Sequence, residues 1–364
     1  MLVKDIVTIF EQFAPLQLQE PYDNSGLCVG NLNDEIKAVL ISIDITDSVI
    51  DEAIAKNCNL VISHHPLIFS GIKSLTGRNL VERCTIKAIQ NKINIYSAHT
   101  NVDVVSGGVS QKICEKLGLV NCRVLSPMKS MLYKLVTFAP SDYAHKIREA
   151  IFAAGAGNIG NYDSCSFNTS GHGTFMGNEL SNPFVGEKNK LHTEEEIRIE
   201  TIFPKYLQNQ IIKALLQAHP YEEVAYDIYP LENRFENTGL GMIGELSSPV
   251  PELKFLTQIK NTFNAGSVRY TSLKNKPVTK VAVCGGSGSS LLKNAIDQGA
   301  DMFISADFKY HQFFDADENI VIVDIGHYES EQFTKEIFYH LLIKKNPNFA
   351  VHFSEINTNP INYL

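Results

Sequence analysis

The chain has 364 residues, 44% of them hydrophobic and 20% charged. At about 150 residues per domain that length predicts two to three domains, and the composition excludes collagen-like, coiled-coil and disordered classes. A formal charge of −8, from 32 basic and 40 acidic residues, argues against a protein that holds nucleic acid by counterion release over a broad basic face.

The seven Cys, at 28, 58, 84, 114, 122, 165 and 284, stand singly with no CxxC pair. This is neither a disulfide framework nor a zinc ribbon, and reduced thiols in the cytoplasm fit it best. Residues 1–15 space Leu2, Ile6, Ile9, Phe10 and Phe13 as a helix does, with Lys4, Asp5 and Glu11 between them, so a helix and not an export signal is expected. No run of about 18 apolar residues predicts a membrane span.

Short β-branched runs at 38–43, 60–62 and 93–96 alternate with helical periodicity, the pattern of an α/β fold with mainly parallel strands. Residues 38–65 align without a gap to 280–307, at a constant offset of 242 (304 − 62). Val39 then meets Val281, Ile54 meets Ile296, Asn57 meets Gly299, Leu60 meets Met302, and Ile62-Ser63 meets Ile304-Ser305. Each copy reads strand, turn, helix, strand. Each continues to a further strand, 93–96 or 320–324, followed by a histidine and, four residues on, a carboxylate: His99 with Asp103, His327 with Glu331.

Between the copies a different repeat runs over about 131–231. Strand 135–138, a helix from Pro140 to Ala153 and strand 159–167 are followed by strand 197–202, a helix from Pro204 to Ala218 and strand 224–229. Two βαβ units of this size predict a ferredoxin-like α+β domain, with a mobile connecting loop at 178–195. Expected boundaries are 1–128 for the first α/β lobe, 129–245 for the insert and 246–364 for the second lobe, the two lobes forming one discontinuous domain.

The sharpest motif is Ser63-His64-His65-Pro66 at the carboxyl end of a buried strand, the edge where ligands collect in open α/β sheets. Neighbours on a strand point to opposite faces, but where the pleat breaks before Pro66 the two rings can diverge and serve two different ions. Ala98 to Asp103 also follows an apolar strand. After Gly326, a helical turn puts His327 and Glu331 on one face. Taken singly, a buried His is more often a core residue, Asp103 a helix cap and Glu331 a solvated charge. Together they form a nitrogen and oxygen set suited to Zn, Fe, Mn or Ni. One carboxylate bridging two ions would complete a dinuclear site of the kind that acidifies water for hydrolysis.

Residues 21–27 (Pro-Tyr-Asp-Asn-Ser-Gly-Leu), 62–66, 98–103, 305–311 and 326–331 resemble the Nif-three-like dinuclear metal proteins, whose members carry the name GTP cyclohydrolase 1 type 2 homolog. Residues 157–163 and 219–227 resemble the PII/CutA-like insert of the longer members. The resemblance implies duplicated lobes facing a shared metal cleft, and metal ligands His64, His65, Asp103, His327 and Glu331. It also implies two divalent ions per subunit, zinc first, with iron, manganese or nickel as alternatives. A toroidal homohexamer is implied as the assembly. By the same resemblance His99 and His311 are supporting residues and not metal ligands. Ala306-Asp307 departs from the Gly-Asp or Gly-Glu common in relatives, which bears on the loop geometry there.

The segment 281–290, Val-Ala-Val-Cys-Gly-Gly-Ser-Gly-Ser-Ser, lacks the Lys of a P-loop and reads first as a tight turn. Ser287, Gly288 and Lys309 are weaker candidates for contact with a phosphate. Tyr221, Tyr226 and Tyr229 with Glu222 and Glu223 read as an exposed strand or interface before a ligand patch. The expected function is a cytoplasmic dinuclear metal-dependent hydrolase acting on a nucleotide-like small molecule, with GTP ring opening and formate release implied by the resemblance. The alternative is a non-catalytic metal-binding hexamer with a sensor insert.

Overall fold

The apolar spacing of the first residues forms the helix Val3–Phe13, which buries Val3, Ile6 and Phe10. Phe10 packs against Tyr96 and Phe338, with ring centroids 5.3 and 5.2 Å away. It thereby ties the N-terminal helix to a central strand and to the helix Thr334–Lys345. The Phe10→Ala variant is expected to lose about 3–5 kcal/mol of stability, read as a lower urea midpoint at unchanged slope.

The computed structural model describes residues 1–345 and 349–364. They form a mixed α/β structure with three sheets, divided into a unit of Met1–Pro127 with Asn237–Leu364 and a unit of Met128–Glu236. The boundaries expected after 128 and 245 thus fall after 127 and 236. Residues 237–245 join the first unit because the strand Phe235–Val250 pairs antiparallel with Val278–Ser287, Met242 lying opposite Val283.

Two sheets build the first unit. One runs, in spatial order, Gly26–Val29, Asn94–Ser97, Leu60–Ser63, Val39–Ser42 and Val351–Phe353, parallel except at its first pairing. The other runs Arg269–Tyr270, Val321–Asp324, Met302–Ala306, Val278–Ser287, Phe235–Val250 and Val120–Met128, with its middle three strands parallel. Val39 pairs with Leu60 and Ile41 with Ile62 in one sheet, and Val281 with Met302 and Val283 with Ile304 in the other. The pairing register therefore repeats at the offset read from the sequence.

The faces repeat as well. Val39, Ile41, Leu60 and Ile62 share one continuous core with Val281, Val283, Met302 and Ile304. The alternate residues Leu40 and Val61 enter a second core, and Ala282 and Phe303 a third. A strand buried on both faces reads as an unbroken apolar run, which is why these strands were visible in the sequence. The return of Val351–Phe353 to the first sheet was not.

The second unit has a four-stranded antiparallel sheet, in order Phe167–Phe175, His192–Pro204, Leu132–Pro140 and Tyr226–Leu231. The helices Ala144–Ala153 and Gln208–Ala218 pack through Ile147, Ile151, Ile211 and Leu215 on the face bearing Leu135, Ala139, Ile199 and Phe203. The strand expected at 159–167 begins only at Phe167. Gly155, Gly157 and Gly160 take positive φ and Ile159 bridges back to Tyr162, so this stretch makes turns. The expected loop 178–195 ends early because its last residues extend the strand that starts at His192. Among the described residues, no helix is long and apolar enough to cross a membrane.

Candidate metal centre

The strand Leu60–Ser63 is buried throughout. Directly after it the amides of His64 and His65 both donate to the carbonyl of Ile43, at 3.2 and 3.0 Å. Two successive amides turned to one acceptor cannot continue the pleat. The rings leave it with centroids 5.0 Å apart and planes inclined by 43°. Asp103 comes from the short helix Thr100–Val104. Gly326, at φ 92°, lets the chain turn into His327–Glu331, and the i, i+4 spacing brings His327 Nε2 to 3.1 Å from Glu331 Oε2.

These elements meet around Glu331, which is buried at the centre. Oε1 lies 3.6 Å from His64 Nε2, and that nitrogen lies 3.7 Å from Asp103 Oδ1. Oε2 lies 2.9 Å from His65 Nε2, while the Nε2 atoms of His65 and His327 are 3.2 Å apart. The carboxylate thus presents one oxygen to each of two half sites.

The other ring nitrogens fix the tautomers. His64 Nδ1 is 2.9 Å from the carbonyl of Ala98, which can only accept, so Nδ1 carries the proton and a neutral His64 turns a bare Nε2 inward. His65 Nδ1 is held by Asp44 at 2.7 Å and His327 Nδ1 by Asp307 at 2.6 Å. Carboxylates behind imidazoles in this way orient metal ligands and raise their basicity.

His64 Nε2 and Asp103 Oδ1 are buried without any hydrogen-bond partner. Two orphaned acceptors facing each other beside a carboxylate are costly unless a cation lies among them. The donor set and these orphans fit a metal, and the sets His64, His65, His99 and His65, His327, Glu331 could each hold an ion.

Without a cation the cluster binds protons instead. Burial alone would lower His65, but the Asp44 and Glu331 carboxylates outweigh it and push the imidazole up to about 10. His327 is likewise disfavoured as a cation by burial, yet Asp307 and Glu331 push it up to about 11. Burial raises the Asp103 carboxyl, and of the charges around it His64 pulls it down while Glu331 adds to the rise. For Glu331, burial is outweighed by His64, His327 and His65, which hold its carboxyl well below the usual range.

Four of the five residues expected as ligands contact one another here through two i, i+4 or adjacent pairs, and Asp103 joins through His64. His99, expected only as a support, stands closer than that. Its ring centroid is 5.2 Å from His64 and 5.3 Å from His65, and its Nδ1 is held by Asp23 at 2.8 Å. His311 is exposed and packs on Tyr310, centroids 5.2 Å apart. Lys309 and Ser287 are exposed. The amides of Gly286 and Gly288 donate to the hydroxyls of Ser330 and Ser305, each at 2.9 Å, and so are not free for a phosphate.

Sequence reasoning missed the orienting carboxylates Asp44 and Asp307. Asp44 carries no motif. Asp307 was visible only as the departure in Ala306-Asp307. Thr358, near the C-terminus, donates to Asp44 Oδ2 at 2.6 Å and so fixes the carboxylate that fixes His65. Asp44→Asn, and more weakly Thr358→Val, are expected to reduce metal affinity of the His65 half site. A roughly 10- to 100-fold loss is expected for Asp44→Asn, measured by competition with a chromogenic chelator.

The model of the family Duf34/NIF3 (NGG1p interacting factor 3) matches residues 1–360. A protein of Halalkalibacterium halodurans named GTP cyclohydrolase 1 type 2 homolog is 39% identical over 364 residues, 99% of this chain and 98% of that protein. A protein of the same name from Bacillus subtilis is 38% identical over 367 residues, with 99% and 98% covered. The crystal structure of a Bacillus cereus protein related to NIF3 superposes with a TM-score of 0.86 at 39% identity, covering 100% of this chain and 99% of that one. Both the chain-long sequence match and the shared fold lead to one conclusion: this chain belongs to the DUF34/NIF3 family.

Proposed function

We propose that the chain is a dinuclear metal-dependent hydrolase. His64 and Asp103 would hold one divalent ion, His65 and His327 the other, with the Glu331 carboxylate shared by both. The observation that carries this reading is the pair His64 Nε2 and Asp103 Oδ1, both buried and without a hydrogen-bond partner, 3.7 Å apart beside Glu331 Oε1. Such a pair of ions, when bound, supplies Lewis acidity for attack of water on an electrophilic carbon or phosphorus.

The chain's own groups hold and aim. Asp44 and Asp307 keep the Nδ1 protons of His65 and His327 and leave both Nε2 atoms facing inward. Asp23 does the same for His99, placing a third Nε2 at the rim of the first half site as an added ligand or a proton carrier. Zinc is the first choice for an imidazole and carboxylate set, with iron, manganese and nickel as alternatives.

The relatives' name points to GTP as substrate, with opening of the guanine imidazole ring and release of formate. The repeated register of the two sheets supports a duplicated lobe as the origin of the first unit. The element order and antiparallel sheet of the second unit support a ferredoxin-like, PII/CutA-like insert. A toroidal homohexamer in the cytoplasm completes the proposal.

Metal content and formate release from GTP, measured together on the native chain and His65→Ala, test it. The expected result is two ions per native chain, one in the variant, and formate release at least about 100-fold lower in the variant. Bound metal without turnover of any nucleotide overturns the hydrolase and leaves a metal-binding scaffold. Metal-free protein of unchanged activity overturns the site.

A further inference from the structure

The second unit contains a cavity of about 940 Å³ on the sheet face opposite its two helices. Its wall includes Phe138, Phe175, Phe184, Tyr221 and Glu196. The volume is that of a small-molecule site. The register explains why these side chains meet. Phe138 pairs with Arg198 and Gly171 with Glu196, so alternate residues of three strands stand on the helix-free face.

Glu196 is the informative residue. It is 9% exposed and takes one hydrogen bond from the Tyr221 hydroxyl, at 2.9 Å on Oε1. Its Oε2 sits over Gly173, where a Cβ would collide with it, so this strand position needs glycine for the carboxylate to lie there.

Among the described residues Glu196 has no ion pair, although basic groups are near. Arg198 is paired with Glu200 at 2.9 Å and His192 with Glu194 at 2.7 Å. His219 gives its Nε2 proton to the carbonyl of Phe138 and accepts the Tyr221 amide on Nδ1, so it is a neutral ring. Burying a carboxylate without a counter-charge is costly. Aromatic rings line the same cavity: Tyr221 is bonded to the carboxylate, and Phe175 and Phe184 are centred 6.0 and 6.2 Å from Tyr221. Ring faces next to an unpaired carboxylate attract a cation that carries apolar groups. Glu222 and Glu223 add negative charge to the wall.

The geometry points to a binding site for a small organic cation, an alkylated ammonium, in the cavity between Glu196, Tyr221, Phe175 and Phe184. Its occupant is recognised through one positive charge and its hydrocarbon substituents. The site stands on residues of the second unit alone and does not rest on the metal reading.

Titration of the full chain with choline and with its neutral isostere 3,3-dimethylbutan-1-ol, followed by saturation-transfer NMR and calorimetry, tests the site. Choline is expected to bind saturably, one per chain, with the isostere at least about tenfold weaker. Glu196→Gln is expected to weaken choline about tenfold, Phe184→Ala severalfold, and His65→Ala not at all. Circular dichroism of each variant checks folding, and Phe184, half exposed, can be shortened without opening a core. Absence of saturable binding, equal binding of the isostere, or an unaltered Glu196→Gln overturns the proposal. So does a Phe184→Ala variant that changes the oligomeric state while choline fails to bind the native chain, which would assign this face to a second copy.

Discussion

Glu331→Gln is expected to deplete both half sites at once, whereas His64→Ala and His65→Ala each deplete one. Glu331 alone offers an oxygen to each side, Oε1 toward His64 and Oε2 toward His65 and His327. Glutamine keeps the shape but loses the charge and turns one oxygen into an NH₂ donor, which cannot face a cation. The loss in affinity should exceed the roughly 10- to 100-fold that follows removal of a mere orienting group. Metal content after dialysis, together with chelator competition, reads this directly. The three substitutions share partners within 4 Å, so their effects should not add. A Glu331→Gln protein that keeps two ions would remove the bridge from the site.

Gly286 gives the same bridge a second handle. It has φ +60°, and a Cβ there would collide with Glu331 Oε1. Gly286→Ala is therefore expected to displace Oε1 and weaken the His64 half site more than the His65 half site. Comparing occupancies of the two sites by metal titration checks the order.

Gly286 also shows what the sequence made legible and what it hid. The run Cys284-Gly285-Gly286-Ser287-Gly288 reads as a tight turn, with a cradle for phosphate as the lesser alternative; in the fold Gly286 makes room for Glu331, and the amides of Gly286 and Gly288 are consumed by serine hydroxyls. Nothing local distinguishes these uses, because the partner lies some 45 residues on. The buried parallel strands were readable because both faces are apolar, and the repeat was readable because its register depends on side-chain size at matched positions. His64 and His65 stood out as adjacent imidazoles at a strand end. Asp44 and Thr358 did not. They are ordinary polar residues whose meaning comes only from a contact 314 positions apart along the chain. The boundary after 236 was missed because Phe235–Val250 begins in one unit and pairs in the other, with no composition change to mark the passage.

Raising the pH is expected to have opposite effects on the metal-free and the metal-loaded protein. In the metal-free chain His65 and His327 are pushed up to about 10 and about 11, because Asp44, Asp307 and Glu331 outweigh burial. The folded state therefore holds protons more tightly than the unfolded chain, whose imidazoles titrate near 6.5. Stability from this source is fully present below about pH 6.5 and is lost as the pH rises toward 10. The two Nε2 atoms lie 3.2 Å apart and both stand against Glu331 Oε2, so a proton held there occupies the place of a cation. A metal must displace at least that proton, and its apparent affinity should tighten about tenfold per pH unit below the shared titration. The melting temperature of the chelator-stripped protein should fall from pH 6.5 to 9 while that of the loaded protein holds or rises, so the gap between them widens. Calorimetric titration in two buffers of different ionisation enthalpy should show at least one proton released per chain. A gap that narrows with pH, or binding with no proton release, would mean that the inward nitrogens of His65 and His327 do not take the metal.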